Sequence, residues 1–227
     1  MQSQLVHEFI QWDIKSWSAA LDYWEREVNW NKVETCLELG GREGGLSLWL
    51  ALKNKKVICS DVCDVKQYAE KLHSRYDTHS RIQYQEIDAI DIPYENHFDI
   101  IVFKSILGVI GKNNNKDLQV RVFEQIYKAL RPGGKLIFAE NLNGSPMHRY
   151  LRNKYVPWGN SWRYVSIQEM KSFLRNFKSF DLKTTGVISL LGRSERQRQT
   201  LASIDKILLN HMFPDRWKYI VYGVAEK

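Results

Sequence analysis

The stretch that most constrains the fold is residues 36–45, which read CLELGGREGG. An apolar strand predicted from Val33 to Leu39 carries Glu38 near its end. The chain then breaks into a glycine-rich turn, and an amphipathic helix follows from Leu46. A strand, a glycine turn and a helix in this order lay a charged ligand against backbone N–H groups in α/β proteins. Because glycine-rich turns also cap ordinary helices, that alternative stays open at this point.

Acidic residues end the next two predicted strands. The strand at 57–60 ends on Asp61, which follows Glu38 at close to the ~20 residues at which an acidic side chain meets a nucleotide ribose in doubly wound sheets. The strand at 82–87 ends on Asp88, and Ala89 comes next. A fourth strand is predicted at 97–103 and a fifth at 135–140. Since carboxylates avoid burial without partners, sheet packing alone does not explain this series.

The ordered series resembles the class I S-adenosylmethionine-dependent methyltransferases. The matching segments are Leu37-Glu38-Leu39-Gly40 with Gly44-Gly45, Asp61, Asp88-Ala89, Ile92-Pro93 with Phe98 to Val102, and Ala129 to Leu136. The resemblance implies one α/β domain with a doubly wound, Rossmann-like sheet of seven mostly parallel strands and helices on both faces. It also implies that the last strand, residues 217–225, runs antiparallel. Arg42 departs from the pattern, because the family usually has a glycine there.

The resemblance assigns cofactor roles to residues of this series. Glu38 and the turn around Gly40, Gly41 and Gly44 are assigned to the methionine ammonium of S-adenosyl-L-methionine, and Asp61 to the ribose diol. Asp88 is assigned to the adenine amino group, with Ala89 and Val62 as apolar cover. Lys104, at the end of the fourth strand, is placed on the cofactor side. Alternatives stay open for three residues: Asp61 and Asp88 could each be an ordinary helix N-cap, and Arg42 could reach the cofactor's carboxylate or stay in solvent.

The expected division of the single domain is a helical lid over residues 1–30, a cofactor-binding core over 31–142, and a substrate side over 143–227. Gln4 to Val28 reads as one amphipathic helix whose aromatic residues either dock on the sheet or, like Trp12, face the substrate. Residues 141–165 read as an irregular segment rich in aromatic and polar groups beyond the fifth strand. Arg149 and Trp158 are its candidate substrate contacts. His148 is the candidate general base, Lys104 and Ser105 are weaker candidates, and a surface-loop role for His148 stays open.

The formal net charge is +7, but no long basic run accompanies it. The densest cluster is Arg193, Arg196 and Arg198, which is either a solvated helix start or a site for an anionic substrate group. Cys36, Cys59 and Cys63 suggest no disulfide framework, and no His or Cys cluster completes a metal site. The residues near Met1 do not resemble a signal peptide and no apolar run is long enough to span a membrane, so we expect a cytoplasmic protein.

The leading hypothesis is an S-adenosylmethionine-dependent O-methyltransferase acting on a small molecule or saccharide, with an anionic or phosphorylated acceptor, as in surface polysaccharide synthesis, as one version. The motif that nitrogen methylases of nucleic acids carry after the fourth strand is absent here, which disfavours DNA N-methylation. An RNA or protein methyltransferase is the second hypothesis, since the net charge permits it. A non-catalytic domain that binds S-adenosylmethionine is the third, because a fold does not establish an activity.

Overall fold

The computed structural model of the protein describes residues 3–227 and is built around one seven-stranded sheet. The strands are β1 (Thr35–Leu39), β2 (Lys56–Asp61), β3 (Ile82–Glu86), β4 (Phe98–Lys104), β5 (Leu130–Asn141), β6 (Ser179–Thr185) and β7 (Ile220–Glu226). The α-helices are α1 (Ser3–Ile10), α2 (Ile14–Glu27), α3 (Gly45–Ala51), α4 (Val65–His73), α5 (Leu107–Ile110), α6 (Lys116–Ala129), α7 (Pro146–Tyr155), α8 (Ile167–Phe173), α9 (Glu195–Ile204) and α10 (Asn210–Met212).

The strand order across the sheet is β3-β2-β1-β4-β5-β7-β6. The pairs from β3 to β5 are parallel, whereas β7 is antiparallel to both of its neighbours, β5 and β6. From β1 to β3 the strands are added towards one edge of the sheet, and β4 and β5 are added towards the other edge. The ends of β1 and β4 therefore form a switch point where ligands bind in open α/β sheets. The predicted sheet with an antiparallel last strand is confirmed.

Two apolar layers cover the sheet. One contains residues of α1, α2, α3 and α4, and the other contains residues of α6 and α8. Trp17 and Trp24 of α2 are fully buried in the first layer, where the Trp24 Nε1 atom donates a hydrogen bond to the carbonyl oxygen of Gly223 at 3.1 Å. These N-terminal aromatic residues therefore dock on the sheet. Trp12, between α1 and α2, stays partly exposed.

The single N-terminal helix predicted from Gln4 to Val28 is wrong, because the chain breaks between α1 and α2. Gln11 and Asp13 adopt φ values of 70° and 46° there. The Glu195 carboxylate accepts hydrogen bonds from the backbone N–H groups of Asp13 (3.1 Å) and Ile14 (2.8 Å), and so caps α2 from a distant helix. Helical periodicity continues through the break, so the sequence pattern alone does not reveal it.

The prediction of an irregular segment at 141–165 is also wrong for ten of its residues, because α7 lies within it. Ser145 caps this helix, and His148 completes a capping box by accepting a hydrogen bond from the Ser145 backbone N–H. Pro146 occupies the first turn, where the absent N–H costs nothing. Glutamate or glutamine usually completes such a box, so a histidine in that position conceals the helix start.

Most of the other predicted elements differ from the observed ones by a few residues. The exception is β5, which begins at Leu130 and pairs with Phe98 before the register shifts at a bulge. The segment Arg131 to Gly134, which precedes the fifth strand predicted at 135–140, is therefore already part of the strand. No helix within residues 3–227 is long and apolar enough to cross a membrane.

Candidate active site

The glycine turn between β1 and α3 is a tight loop at the carboxyl edge of the sheet. Gly40 has a φ of +65°, and a Cβ added there would lie 2.4 Å from Ile106 Cγ2. The Gly41 N–H donates to the Ser60 carbonyl oxygen at 2.7 Å, which ties the loop to β2. Gly44 has a φ of +72° and contacts the His73 ring, whose Nε2 atom lies 2.8 Å from the Gly44 carbonyl oxygen. Positions 40 and 44 therefore require glycine for two reasons: each has a left-handed backbone conformation, and each packs too closely against a neighbouring side chain to leave room for a Cβ.

Glu38 fastens β1 to the first turn of α3. Its buried carboxylate accepts hydrogen bonds from the Ser47 backbone N–H (2.8 Å) and the Ser47 hydroxyl. Burial raises the pKa of Glu38 to about 7, although the hydrogen bonds from Ser47 oppose the shift. The predicted contact between Glu38 and the cofactor's ammonium stays a prediction, because the observed partners of this carboxylate are Ser47 of α3 and the Cys59 thiol of β2. Sequence reasoning missed Ser47.

Asp61 lies at the carboxyl end of β2 and faces the glycine loop. One carboxylate oxygen accepts from the Arg42 backbone N–H at 3.0 Å, and the other accepts from the Val62 N–H at 2.8 Å. The helix-cap alternative is wrong, because Asp64 caps α4 by accepting from the Gln67 N–H. Val62 is 66% exposed at the same edge. An accessible carboxylate beside an exposed apolar side chain fits a ribose with an attached base.

Asp88 and Ala89 follow β3, the strand next to β2. Asp88 is exposed, and one of its oxygens accepts a hydrogen bond from the Ile90 N–H at 3.1 Å, whereas Ala89 is buried. Because β2 and β3 are parallel, Asp61 and Asp88 lie at the same edge of the sheet. The Arg42 side chain, at a residue with a φ of 45°, is exposed.

A lysine lies between two buried carboxylates where β1, β4 and β5 end. The Lys104 ammonium donates to the Ile10 carbonyl oxygen at 3.2 Å and lies 5.3 Å from the centre of the Trp17 ring. Burial lowers the pKa of Lys104, and the charges of Glu38 and Glu140 oppose that shift. The hydrogen bond from Lys104 to the Ile10 carbonyl group holds the link between α1 and α2 across the end of β4.

Glu140, which sequence reasoning missed, accepts from the backbone N–H groups of Leu107 (2.8 Å) and Asn141 (2.7 Å). Burial raises its pKa to about 7. The pattern that singled out Asp61 and Asp88, an acidic residue at the end of a strand, applies equally to Glu140 in β5. Among the described residues no group of three or more metal-ligating side chains could hold an ion.

His148 does not reach this edge as a free base. Its ring is 0% exposed, and its Nδ1 atom accepts from the Ser145 N–H at 3.1 Å. The Nε2 atom therefore carries the proton and donates to the Val187 carbonyl oxygen at 2.6 Å. Burial lowers the pKa of His148. The surface-loop alternative is wrong, because the histidine is a buried part of the α7 cap and both of its nitrogens have protein partners. The general-base role of His148 stays a prediction.

The arginine cluster divides into two parts. The Arg198 side chain donates to Glu195 (3.1 Å) and to the Gly192 carbonyl oxygen (3.0 Å), and its guanidinium lies 5.3 Å from the centre of the Trp12 ring. Arg193 and Arg196 are exposed beside the Ser194 cap of α9. This arrangement favours the solvated helix start for Arg193 and Arg196, and it gives Trp12 an arginine neighbour within the protein.

A groove of about 530 Å³ opens beyond the ends of β4 and β5. Arg149 and Trp162 line it, and the Trp158 ring packs against Trp162 at a tilt of 33°, with ring centres 5.4 Å apart. Of its lining residues, the sequence analysis named only Arg149 as a substrate contact, and it missed Arg152 because it read the segment 141–165 as irregular. Helical spacing within 146–155 could have put Arg149 and Arg152 on one face.

The residues at this edge fit S-adenosyl-L-methionine best at its ribose and adenine end. The Asp61 and Asp88 carboxylates are accessible there, and the loop glycines leave the backbone close to any ligand. The part of the site that is expected to hold the methionine end of the cofactor is more enclosed, because Ile106, Lys104 and the Ile10 carbonyl group lie over the end of β4. The donor set therefore matches the class of protein that the fold defines, a Rossmann-like methyltransferase.

Comparison with known proteins agrees with this class. Residues 37–138 match the family model described as a methyltransferase domain. No curated protein sequence matches the chain. The chain therefore carries a methyltransferase domain over residues 37–138, within a Rossmann-like fold.

Solved structures share the fold at low sequence identity. Phosphoethanolamine N-methyltransferase 2 of Haemonchus contortus, in complex with S-adenosyl-L-methionine, superposes with a TM-score of 0.65 at 19% identity, over 98% of this chain and 56% of that one. A Thermotoga maritima S-adenosylmethionine-dependent methyltransferase gives 0.63 at 16% identity, over 99% and 97% of the two chains. One from Methanosarcina mazei gives 0.60 at 15%, over 86% and 93%. The chain thus spans little more than half the length of the Haemonchus protein.

Proposed function

We propose that the protein transfers the methyl group of S-adenosyl-L-methionine to a small-molecule acceptor. The leading acceptor is a hydroxyl group of a saccharide or similar compound, including one that carries phosphate or another anion. The observation that carries this proposal is the glycine loop with Asp61 and Asp88 at the same sheet edge as a groove of about 530 Å³. A groove of that volume is typical of small-molecule sites.

The proposed cofactor contacts follow from the positions of these residues. Asp61 would accept hydrogen bonds from the ribose hydroxyls, and Asp88, Ala89 and Val62 would surround the adenine. Gly40, Gly41 and Gly44 would let the backbone approach the methionine end. The Lys104 ammonium suits the carboxylate of that end, and the contact of Glu38 with its ammonium remains part of the proposal. The cofactor supplies an electrophilic methyl group on a sulfonium.

The protein's part in the transfer is alignment and exclusion of water. The hydrogen bond from Lys104 to the Ile10 carbonyl group holds the link between α1 and α2 over the end of β4. We therefore retain residues 1–30 as the proposed lid, 31–142 as the cofactor core and 143–227 as the substrate side. We also propose that the protein acts in the cytoplasm, in line with its three free cysteines.

A nitrogen acceptor is the second candidate, and the burial of His148 favours it. Methylation of a hydroxyl benefits from a general base, whereas an unprotonated amine already presents its lone pair. The two candidates differ in their pH dependence. With an amine, the rate should rise with pH through the pKa of the acceptor itself, and the same profile should persist in a His148 variant.

The test begins with calorimetric titration of S-adenosyl-L-methionine into the wild-type protein and Asp61→Asn. Incubation with methyl-labelled cofactor and fractionated small metabolites then identifies the acceptor by mass spectrometry of the labelled product. We expect binding, together with a labelled small molecule that the Asp61→Asn variant forms more slowly when the cofactor is below saturation. Binding without any labelled product in small molecules, RNA or protein would favour a non-catalytic binding domain. Labelled RNA or protein would replace the small-molecule acceptor.

A further inference from the structure

The groove beyond β4 and β5 has a charge that its position in the fold does not require. Three arginines line it, Arg149, Arg152 and Arg163, and within the described residues 3–227 no aspartate or glutamate lines it. Asparagine side chains supply much of the remaining polar wall. A concave surface with guanidinium groups and amides but no carboxylate attracts anions and repels cations.

The guanidinium of Arg163 is already bound within the protein. It donates to Asn114 (3.1 Å), Gln119 (2.6 Å) and the Glu169 carboxylate. Glu169 also pairs with Lys116. The guanidinium groups left for a ligand in the groove are therefore those of the other two arginines.

Arg152 is an unusual residue to find buried. It is 4% exposed, its Nη1 atom donates to the Leu142 carbonyl oxygen, and its guanidinium lies 4.1 Å from the centre of the Tyr164 ring. Its Nη2 atom is buried with no hydrogen-bond partner among the described residues. A buried guanidinium nitrogen without an acceptor is costly, so an acceptor supplied by a ligand would relieve that cost.

Arg149 complements Arg152 from one turn earlier on α7. Residues three apart on a helix share a face, so both guanidinium groups can serve one ligand. Arg149 is exposed, whereas Arg152 is fixed by Tyr164 and the Leu142 carbonyl group. The acidic group whose charge acts on Arg152 is Glu140, and backbone N–H groups already bind its carboxylate.

We propose that Arg149 and Arg152 form a binding site for an anionic oxygen group, phosphate or carboxylate, of the small methyl acceptor. The substrate role rests on the proposed function, whereas binding of the anion itself does not. Two guanidinium groups suit a planar or tetrahedral oxyanion, because each can donate two parallel hydrogen bonds. The Trp162 and Tyr164 rings of the groove would pack against the remainder of such an acceptor.

The test uses inorganic phosphate as the probe, titrated by calorimetry into the wild-type protein, Arg149→Gln, Arg175→Gln and Arg196→Gln. Arg175 and Arg196 are exposed arginines outside the groove, so these two variants lose the same charge elsewhere. We expect Arg149→Gln to weaken phosphate binding by about 10-fold, the loss of one charge-assisted hydrogen bond, while the other two leave it unchanged. Arg149 is exposed, so its replacement should not impair folding. The Arg152→Lys variant tests whether phosphate binding requires the fixed guanidinium group of Arg152, provided that the midpoint of its thermal unfolding is unchanged.

Competition by acetate then separates the two anions. Displacement of phosphate by equimolar acetate indicates a carboxylate-bearing ligand, and weak displacement indicates a phosphate-bearing one. Equal losses in all three glutamine variants, or no phosphate binding by the wild-type protein, would overturn the proposal. Much tighter competition by a single-stranded RNA would overturn the small-molecule assignment.

Cofactor titrations on the same samples separate this proposal from the proposed function. Phosphate binding without S-adenosyl-L-methionine binding would leave the anion site standing and remove its role in methyl transfer. Cofactor binding without phosphate binding would remove the anion site and leave the proposed function standing.

Discussion

The glycine loop and the groove lie at the same edge of the sheet but are built in different ways. The loop is made mainly of backbone, and the residues that define it lie between Glu38 and Asp61 in the sequence. The groove is made of side chains from between Asn113 and Tyr164, brought together by α7 and its packing. Local chain conformation thus determines the first region and tertiary packing the second, so substitutions in the two regions should have different effects.

The largest effect should come from Gly40→Ala. The left-handed backbone costs about 1 kcal/mol for alanine, and the clash with Ile106 adds about 1–3 kcal/mol of overpacking. Gly133→Ala is the matched control, since Gly133 has a φ of +77° with nothing within 4 Å of an added Cβ. Urea unfolding should give a loss of stability near 1 kcal/mol for Gly133→Ala and about 3 kcal/mol for Gly40→Ala. Equal losses would mean that backbone conformation, and not close approach, keeps Gly40.

The next effect concerns the groove side, where His148→Ala should act on stability. It removes the hydrogen bonds to the Ser145 N–H and the Val187 carbonyl group and leaves both groups buried. We expect a loss of about 2–3 kcal/mol in the free energy of unfolding, with unchanged affinity for S-adenosyl-L-methionine. His7→Ala, which removes an exposed histidine, should change neither quantity.

A stable His148→Ala protein with greatly reduced turnover would contradict the structural assignment. It would restore the general-base hypothesis for His148. It would also mean that the His148 ring leaves its partners, Ser145 and Val187, before the reaction.

These two regions also explain what the sequence could and could not predict. The strands and the positions of Asp61 and Asp88 follow from apolar runs and glycines that act locally, whereas the sheet with its antiparallel last strand followed from the family resemblance. The break at Gln11 to Asp13 depends on Glu195, which is remote in the sequence. His148 looked like a base because its type and loop position suited one, whereas its partners, Ser145 and Val187, are known only from tertiary contacts. Arg152 was missed for the same reason.

A moderate effect should follow from Asp61→Ala on the loop side. Loss of a charge-assisted pair of hydrogen bonds should weaken S-adenosyl-L-methionine binding by about 10-fold or more. Asp64→Ala is the control: it removes the cap of α4 and should cost about 1 kcal/mol of stability without a comparable change in affinity. Calorimetry on both variants measures the difference. Unchanged affinity in Asp61→Ala would remove the ribose assignment.

The smallest effect is expected from the double variant Arg193→Gln and Arg196→Gln. Both side chains are exposed beside the start of α9, and Arg198, the third member of the cluster, already pairs with Glu195 and lies over Trp12. Surface changes of this kind should alter stability by less than about 0.5 kcal/mol. Cofactor affinity and phosphate affinity should both stay at the wild-type value, in contrast to Arg149→Gln. A higher acceptor KM or a higher phosphate dissociation constant in the double variant, but not in Arg149→Gln, would mean that α9 and not α7 carries the anion site. The region to compare with the glycine loop would then be the surface around Trp12 and α9, and not the groove.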